Sequence, residues 1–299
     1  MNGMHTTPVI DVERLNLTYG DFHAVKDLSF QVRRGELYAL LGTNGAGKTS
    51  TLEIIEGHRK ATSGTVRVFG RSPQDRRAVR PKMGVMLQES GFAPDLTVQE
   101  TVWLIGRLTQ RTDTVERVLG IVDLTRKAST KVSQLSGGEK RRLDFATAVY
   151  GTPELIFLDE PTTGLDIQSR DDLWDAVDRL REDGTTIVLT THYLEEAQQR
   201  ADRIGLMHQG AFHQEGTVSE LTRTLPAVIR FVLPGDAPVL QLPLPATREG
   251  DGRFLIKTPD RQRDLYLLLR WAHEHAVELR DLEAGPTGLD DVFRAIGSD

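Results

Sequence analysis

Gly42-Thr43-Asn44-Gly45-Ala46-Gly47-Lys48-Thr49 fits the spacing G-x-x-x-x-G-K-[ST], and an apolar run, Leu37 to Leu41, precedes it. Glycines let the backbone take positive φ and come close to a ligand, and successive N–H groups can then form a nest for an anion. A helix that starts at the end of the loop adds unpaired N–H donors and its positive dipole end. Lys48 supplies a mobile charge for outer phosphates. The Thr49 hydroxyl can join the shell of Mg²⁺, and Ser50 follows in the same turn. A second chemical signal is LIFLDEP, an apolar run that ends in Asp159-Glu160-Pro161. Two carboxylates at a strand end suit a magnesium nucleotide: Asp159 to hold the ion directly or through water, Glu160 to polarise an attacking water. Pro161 disfavours a helical conformation at Glu160 and is expected to keep it extended.

A third stretch, LSGGEKRR (135 to 142), has two readings that are compatible. Ser136 and Glu139 form S-x-x-E, a capping box at the start of a helix. A capping box does not require Gly137 and Gly138, which are poor helix formers. Their use would be an uncovered helix N-terminus that a phosphate can approach.

The elements that must position these residues are legible as patterns. Residues 8 to about 35 and 64 to 70 read as strands, with period-two alternation in LSFQV (28 to 32). Residues 95 to about 150 read as mostly helical, with Val98, Val102, Ile105 and Leu108 at helical spacing. ELIFLDE (154 to 160) and TTIVLTT (185 to 191) are continuous apolar runs, as in parallel strands buried on both faces, with a helix, RDDLWDAVDRLRED (170 to 183), between them. The alternation implies an α/β core with its ligand at the carboxyl ends of the strands. Composition shifts near residue 224 to proline and short β-like runs. A strand (RFLIKT, 253 to 258), a helix (DRQRDLYLLLRWAHEHAV, 260 to 277), a possible strand (VELRDLEAG, 277 to 285) and a final short helix (GLDDVFRAIG, 288 to 297) follow. The division expected is residues 1–224 and a small α+β domain, residues 225–299. The helix at 260 to 277 has an apolar face, Leu265, Leu268, Leu269 and Ala272, that has to pack on its own strands, on the first domain or on a partner.

The 299 residues are 38% hydrophobic and 27% charged, the balance of a globular protein with a real core. A net charge of −6 argues against general nucleic-acid binding. The basic run QDRRAVRPK (74 to 82) reads as a solvated surface. There is no cysteine, which excludes disulfides and thiolate metal sites, and the eight histidines lack metal-ligand spacing. The N-terminus has no signal-peptide pattern. No segment approaches the roughly 18 apolar residues that span a bilayer, so a membrane role would have to come from another chain.

Taken in order, the motifs resemble those of the ATP-binding cassette (ABC) ATPases over residues 8 to 222. GTNGAGKT looks like the Walker A motif, with Thr43 where proline is common, and LIFLDEP looks like Walker B with the catalytic glutamate. Tyr19 resembles the aromatic that stacks on adenine. Gln88, in GVMLQES, resembles the glutamine that touches Mg²⁺ or its water and senses the membrane partner. LSGGEKRR is similar to the signature motif, with Glu139 in place of the commoner glutamine; Glu139 can accept a hydrogen bond, for instance from a ribose hydroxyl, but adds negative charge. TTGLD (162 to 166) looks like the D-loop, ending in Asp166, and His192 resembles the switch histidine that contacts the γ-phosphate.

The resemblance implies a P-loop cassette: a parallel-sheet core, an antiparallel β subdomain and a helical subdomain at about residues 89–150, followed by the α+β appendage. It implies ATP and Mg²⁺ as ligands, with Thr49, Gln88 and Asp159 on the metal, and Glu160, His192 and Lys48 in catalysis. Ser136, Gly137 and Gly138 would face the ATP of a second copy, so that two nucleotides lie between two subunits, expected to be identical. The chain would dock on separate permease subunits at the cytoplasmic face of the membrane, without nucleic acid. THYLEEA (191 to 197) and GLDDVFRAIG look most like ATP-binding subunits of the daunorubicin-resistance type, exporters of drugs, antibiotics and glycolipids. The alternatives are a soluble cassette ATPase acting on ribosomes or DNA, whose usual second cassette or long coiled coil is missing, and an importer ATPase. The sequence does not name a cargo.

Overall fold

The computed structural model describes residues 7–88, 91–223, 226–234, 241–249, 252–285 and 287–296. The chain divides into two compact units, Met1–Thr217 and Val218–Asp299.

Unit 1 opens with β1 (Ile10–Tyr19) and β2 (Phe22–Val32), an antiparallel pair that β4 (Ser63–Val68) completes in the order β2-β1-β4. The larger sheet holds β3 (Leu37–Gly42), β5 (Met83–Met86), β6 (Leu155–Asp159), β7 (Thr186–Thr190), β8 (Arg203–His208) and β9 (Ala211–Gly216), in the order β5-β6-β7-β3-β8-β9. All its pairings are parallel except the β8–β9 edge. The apolar runs are buried on both faces as expected: Leu37 to Leu41, Leu155 to Leu158 and Ile187 to Leu189 are all buried. β1 and β2 share one core with this sheet; Phe30 stacks on Tyr38 at 5.3 Å between ring centroids.

The helices of unit 1 are α1 (Lys48–Ile55), α2 (Arg76–Val79), α3 (Val98–Thr109), α4 (Val115–Ile121), α5 (Gly137–Val149), α6 (Ile167–Glu182) and α7 (Leu194–Arg200). α3, α4 and α5 make the expected helical region, whose first two residues, Glu89 and Ser90, lie outside the described residues. The stripe expected on α3 holds at Val98 and Val102, both fully buried, but Leu108 is 69% exposed. α3 instead turns Thr101 and Gly106 inward, where a Cβ on Gly106 would lie 2.4 Å from the Tyr150 ring.

Unit 2 holds α8 (Val218–Thr222), β10 (Ala227–Val232), β11 (Thr247–Arg248), β12 (Phe254–Thr258), α9 (Arg261–Glu274), β13 (Arg280–Gly285) and α10 (Leu289–Ile296). Its antiparallel sheet runs β11-β12-β10-β13. The unit begins ahead of the composition shift at 224 because α8 packs with α10. α9 lays Leu268, Trp271 and Ala272 on the sheet with Ile229, Phe231, Phe254 and Ile256, and Leu265 packs at the margin. The apolar face therefore finds its own strands; Leu269, expected on that face, is 46% exposed.

Candidate active site

β3, β6 and β7 run parallel with β7 between the other two, and β5 flanks β6. The loop after β3, the carboxylates that end β6, the histidine after β7 and the glutamine after β5 therefore leave the sheet at the same carboxyl edge. Strand register brings Asp159 opposite Thr190.

The glycine loop is closed from within. Lys48 Nζ donates back to the carbonyls of Gly42 at 2.7 Å and Thr43 at 3.2 Å. Burial lowers the Lys48 pKa against the pull of the Glu160 and Asp159 carboxylates. Gly47 caps α1 at φ 96, and a Cβ there would lie 2.5 Å from the Ala24 carbonyl, so only glycine fits. The first helical bond at this end runs from Thr51 N to Gly47 O at 2.9 Å. The N–H groups of Lys48, Thr49 and Ser50 precede it and remain as donors for an anion. Asn44, Gly45 and Thr49 are exposed, Ala46 is buried, and the Thr43 hydroxyl lies 3.5 Å from His208 Nδ1. At the end of β1, the Tyr19 hydroxyl lies 3.2 Å from Ser50 Oγ, and the Arg59 guanidinium covers its ring at 4.8 Å. Arg59 is itself held by Glu53 at 2.7 Å.

At the end of β6, the Thr190 hydroxyl donates to Asp159, and burial raises the Asp159 pKa. Glu160 departs from expectation. Its φ is 48°, in the left-handed region, not extended. Pro161 only closes the right-handed helical region to it, and the Glu160 N–H reaches across to Thr190 O at 2.9 Å. Glu160 is one of ten non-glycine residues at positive φ among the described residues; here the conformation is fixed by the bond to Thr190 and by the contacts around the turn. The turn delivers Glu160 Oε2 to within 3.2 Å of His192 Nδ1 and 3.3 Å of the Thr163 hydroxyl. Oε1 has no hydrogen-bond partner among the described residues. Gln88 is exposed, and its carbonyl accepts from Arg141.

Ser136 caps α5 and completes the capping box: its hydroxyl accepts from Glu139 N at 3.2 Å, and Glu139 Oε2 accepts from Ser136 N at 2.8 Å. Lys127 holds Oε1 at 3.1 Å, so both Glu139 oxygens are engaged inside the chain and its charge is matched. The Ser136 N–H, with Lys127, lowers the Glu139 pKa. A Cβ on Gly137 would meet nothing within 4 Å, and one on Gly138 would meet only Leu165 at an ordinary 3.6 Å. Among the described residues nothing requires glycine at either position, and this stretch makes no hydrogen bond to the glycine loop. Asp166 caps α6, accepting from the Ser169 N–H at 2.8 Å and hydroxyl at 3.0 Å.

Several residues of this edge were given no role by the sequence, although Arg141, Thr190 and Glu196 stand inside stretches quoted for other reasons. Arg141, Thr190 and Glu196 bind the loops together, and Lys127 neutralises Glu139. Glu196 is buried and accepts from Thr162 at 2.7 Å, Trp174 at 3.3 Å and Thr191 at 3.2 Å, joining the loop after Glu160 to the loop before His192. No local pattern singles them out: Arg141 lies between Lys140 and Arg142, Glu196 follows Glu195, and Thr190 ends an apolar strand.

A family profile described as "ABC transporter" matches residues 25–163, and one described as "ABC transporter domain-containing protein-like, C-terminal domain" matches residues 227–287. The chain is 36% identical to a Nod factor export ATP-binding protein I of Ralstonia nicotianae, over 97% of this chain and 94% of that one. It is 35% identical to the daunorubicin resistance ATP-binding protein DrrA3 of Streptomyces coeruleorubidus, over 97% and 96%. Identity to the linearmycin resistance ATP-binding protein LnrL of Bacillus subtilis is 36%, over 73% and 72%. Among solved structures, a dimeric ATP-binding cassette in a post-hydrolysis state with ADP and Pi superposes with a TM-score of 0.65 at 28% identity, covering 70% of this chain and 98% of that one. An ATP-binding subunit of an ABC transporter superposes with a TM-score of 0.68 at 26% identity, over 72% and 92%.

Proposed function

The chain belongs to the ABC transporter ATP-binding proteins and is an ATPase, and from this premise we propose that it drives a separate membrane permease that exports drugs, antibiotics or other amphipathic compounds. The observation that carries the reading is end-to-end likeness, through the C-terminal domain, to ATP-binding proteins named for export and drug resistance. No helix among the described residues is long and apolar enough to cross a membrane; in this proposal the permease is a separate chain, with this subunit at its cytoplasmic face. A docking surface is at hand. Leu87, beside Gln88, lines a cavity of about 420 Å³ with Val85, Phe92 and Ile105. Trp103, Leu104 and Leu108 of α3 are exposed.

In this reading all nucleotide chemistry belongs to unit 1. The loop N–H groups, Lys48 and Ser50 hold the phosphates, and Tyr19, backed by Arg59, offers its free ring face to adenine. Thr49, Gln88 and Asp159 form an oxygen-only set with a single carboxylate, which fits a Mg²⁺ ion that keeps waters and takes phosphate oxygens. Bound there, Mg²⁺ would neutralise phosphate charge. His192 and Thr163 fix Oε2 of Glu160, leaving Oε1 to orient a water and accept its proton. Ser136, Gly137 and Gly138 serve a second copy of the chain, which explains glycines that this copy does not need. ATP favours the closed dimer over the open one, and that difference does the work.

Co-expression with a membrane protein of about six spans encoded beside this chain tests the assignment. A stoichiometric complex with stimulated ATP hydrolysis is expected. An active ATPase that ignores the membrane protein and sediments with ribosomes would contradict it.

A further inference from the structure

α5 carries a buried cation that the proposed chemistry does not use. Arg141 is only 6% exposed, and its ion-pair partner Asp144 stands at 3.8 Å, beyond hydrogen-bonding distance. A guanidinium has five N–H donors, and here the contacts all end on backbone carbonyls. Nε donates to Pro161 at 3.1 Å, and Nη2 to Asp159 at 2.5 Å and Glu160 at 2.6 Å. Nη1 donates to Leu87 at 2.5 Å and Gln88 at 3.1 Å.

These carbonyls belong to two different loops. One is the turn that carries Glu160 at φ 48°. A strained residue persists only where its surroundings over-determine it, and both peptides flanking Glu160 are pinned: the N–H by Thr190 O, the carbonyl by Arg141. The other loop is Leu87-Gln88, whose Leu87 walls the cavity beside α3. If α5 needed only adhesion to the sheet, an apolar residue would serve at lower desolvation cost. A planar fork that fits carbonyls on both sides is what arginine adds.

We propose that Arg141 is a positioning residue for hydrolysis: it holds the Glu160 turn in its catalytic geometry and ties it to the Leu87-Gln88 loop, so that a displacement of that loop is felt at the carboxylate. This rests on the role proposed for Glu160.

The test compares Arg141→Gln, Arg141→Lys and Glu160→Gln, and the Arg141→Gln/Glu160→Gln double variant, in the full chain, measuring kcat, KM for ATP and thermal midpoint, with single-turnover hydrolysis for slow variants. Arg141→Gln should lower kcat by about 30-fold or more while KM moves less than about threefold, the pattern of a lost transition-state interaction. Arg141→Lys keeps the charge but not the fork and should lose about tenfold. In the Glu160→Gln background, Arg141→Gln should add less than about twofold, because residues acting as one unit are not additive. A purely structural arginine would instead lower midpoint and ATP affinity together with kcat, and its effect would multiply with that of Glu160→Gln; that result overturns the proposal. So does wild-type kcat in either folded single variant. If Arg141→Gln does not fold, Arg141→Lys decides by the same kcat and KM criterion. Glu160→Gln with an unchanged rate would remove the reading of Glu160 itself, a failure distinct from normal activity at Arg141→Gln beside an inactive Glu160→Gln.

Discussion

Replacing Glu196 by alanine should destabilise unit 1 and slow turnover, although Glu196 is proposed to touch no nucleotide. Its buried carboxylate accepts from Thr162, Trp174 and Thr191, and Arg170 stands at 3.8 Å. Each buried donor left without an acceptor costs about 1–3 kcal/mol. The two hydroxyls can rotate to other acceptors, but the indole N–H cannot, which gives about 3 kcal/mol for Glu196→Ala. Glu196→Gln keeps an oxygen for Thr162 and Trp174, and its amide can donate to Thr191. Its main loss is the charge facing Arg170, whose side chain is 35% exposed, so about 1 kcal/mol is expected. For a unit of this size the thermal midpoint should fall by about 6–12 °C for alanine and about 2–4 °C for glutamine. Differential scanning calorimetry reads the midpoints, and ATPase assays well below them read turnover. Alanine should also lower kcat, because Thr162 and Thr191 adjoin the loops that carry Glu160 and His192. Equal midpoints for the two variants, or a change under about 1 kcal/mol for alanine, would refute the idea that this carboxylate staples the two loops.

Lys48→Ala should abolish hydrolysis while circular dichroism stays unchanged, since its hydrogen bonds among the described residues end on carbonyls of its own loop; a folded variant with full activity would overturn the phosphate-loop assignment. Gly138→Ala should leave stability unchanged or raise it by up to about 1 kcal/mol through helix propensity, yet impair ATP-driven dimerisation, read by urea melts and light scattering. Glu139→Gln should cost less than about 1 kcal/mol at neutral pH, because Lys127 is 45% exposed and the capping acceptor survives. Its pH dependence follows from the sign of the shift. The folded-state pKa of Glu139 is lowered, so its contribution is present above the ordinary carboxylate pKa and is lost as pH falls through the lowered one. Urea midpoints of the wild type should thus fall more steeply with acid over that window than those of Glu139→Gln.

What the sequence made legible was local or periodic. The loop at Gly42–Thr49, the capping box at Ser136 and the apolar runs of β3, β6 and β7 each state their geometry within a few residues. β5 is harder to see: four residues long, it includes Gly84, where a Cβ would lie 2.0 Å from the Ala148 carbonyl. The need for that glycine is set by α5, far along the chain. The β8–β9 edge alternates too weakly to stand out, with β9 mostly polar. At Glu160 the local rule, Pro161 barring one region of backbone space, points to an extended residue; the left-handed choice comes from bonds to β7 and α5, which no local rule contains. Arg141 reads as one more surface charge in KRR until α5 buries it. Asp166 and Glu139, which the resemblance implies as nucleotide contacts, also cap α6 and α5 within this chain, and Lys127 pairs with Glu139.

One variant tests both Glu160 and the shared nucleotide site. Glu160→Gln keeps the side chain's shape and loses the charge that orients water. With saturating MgATP its light-scattering mass should double from 33.3 kDa, with two ATP molecules per dimer and turnover reduced by at least about a hundredfold. Hydrolysis at the wild-type rate would return Glu160 to an acidic turn, and a slow variant that stays monomeric with ATP bound would contradict the shared site.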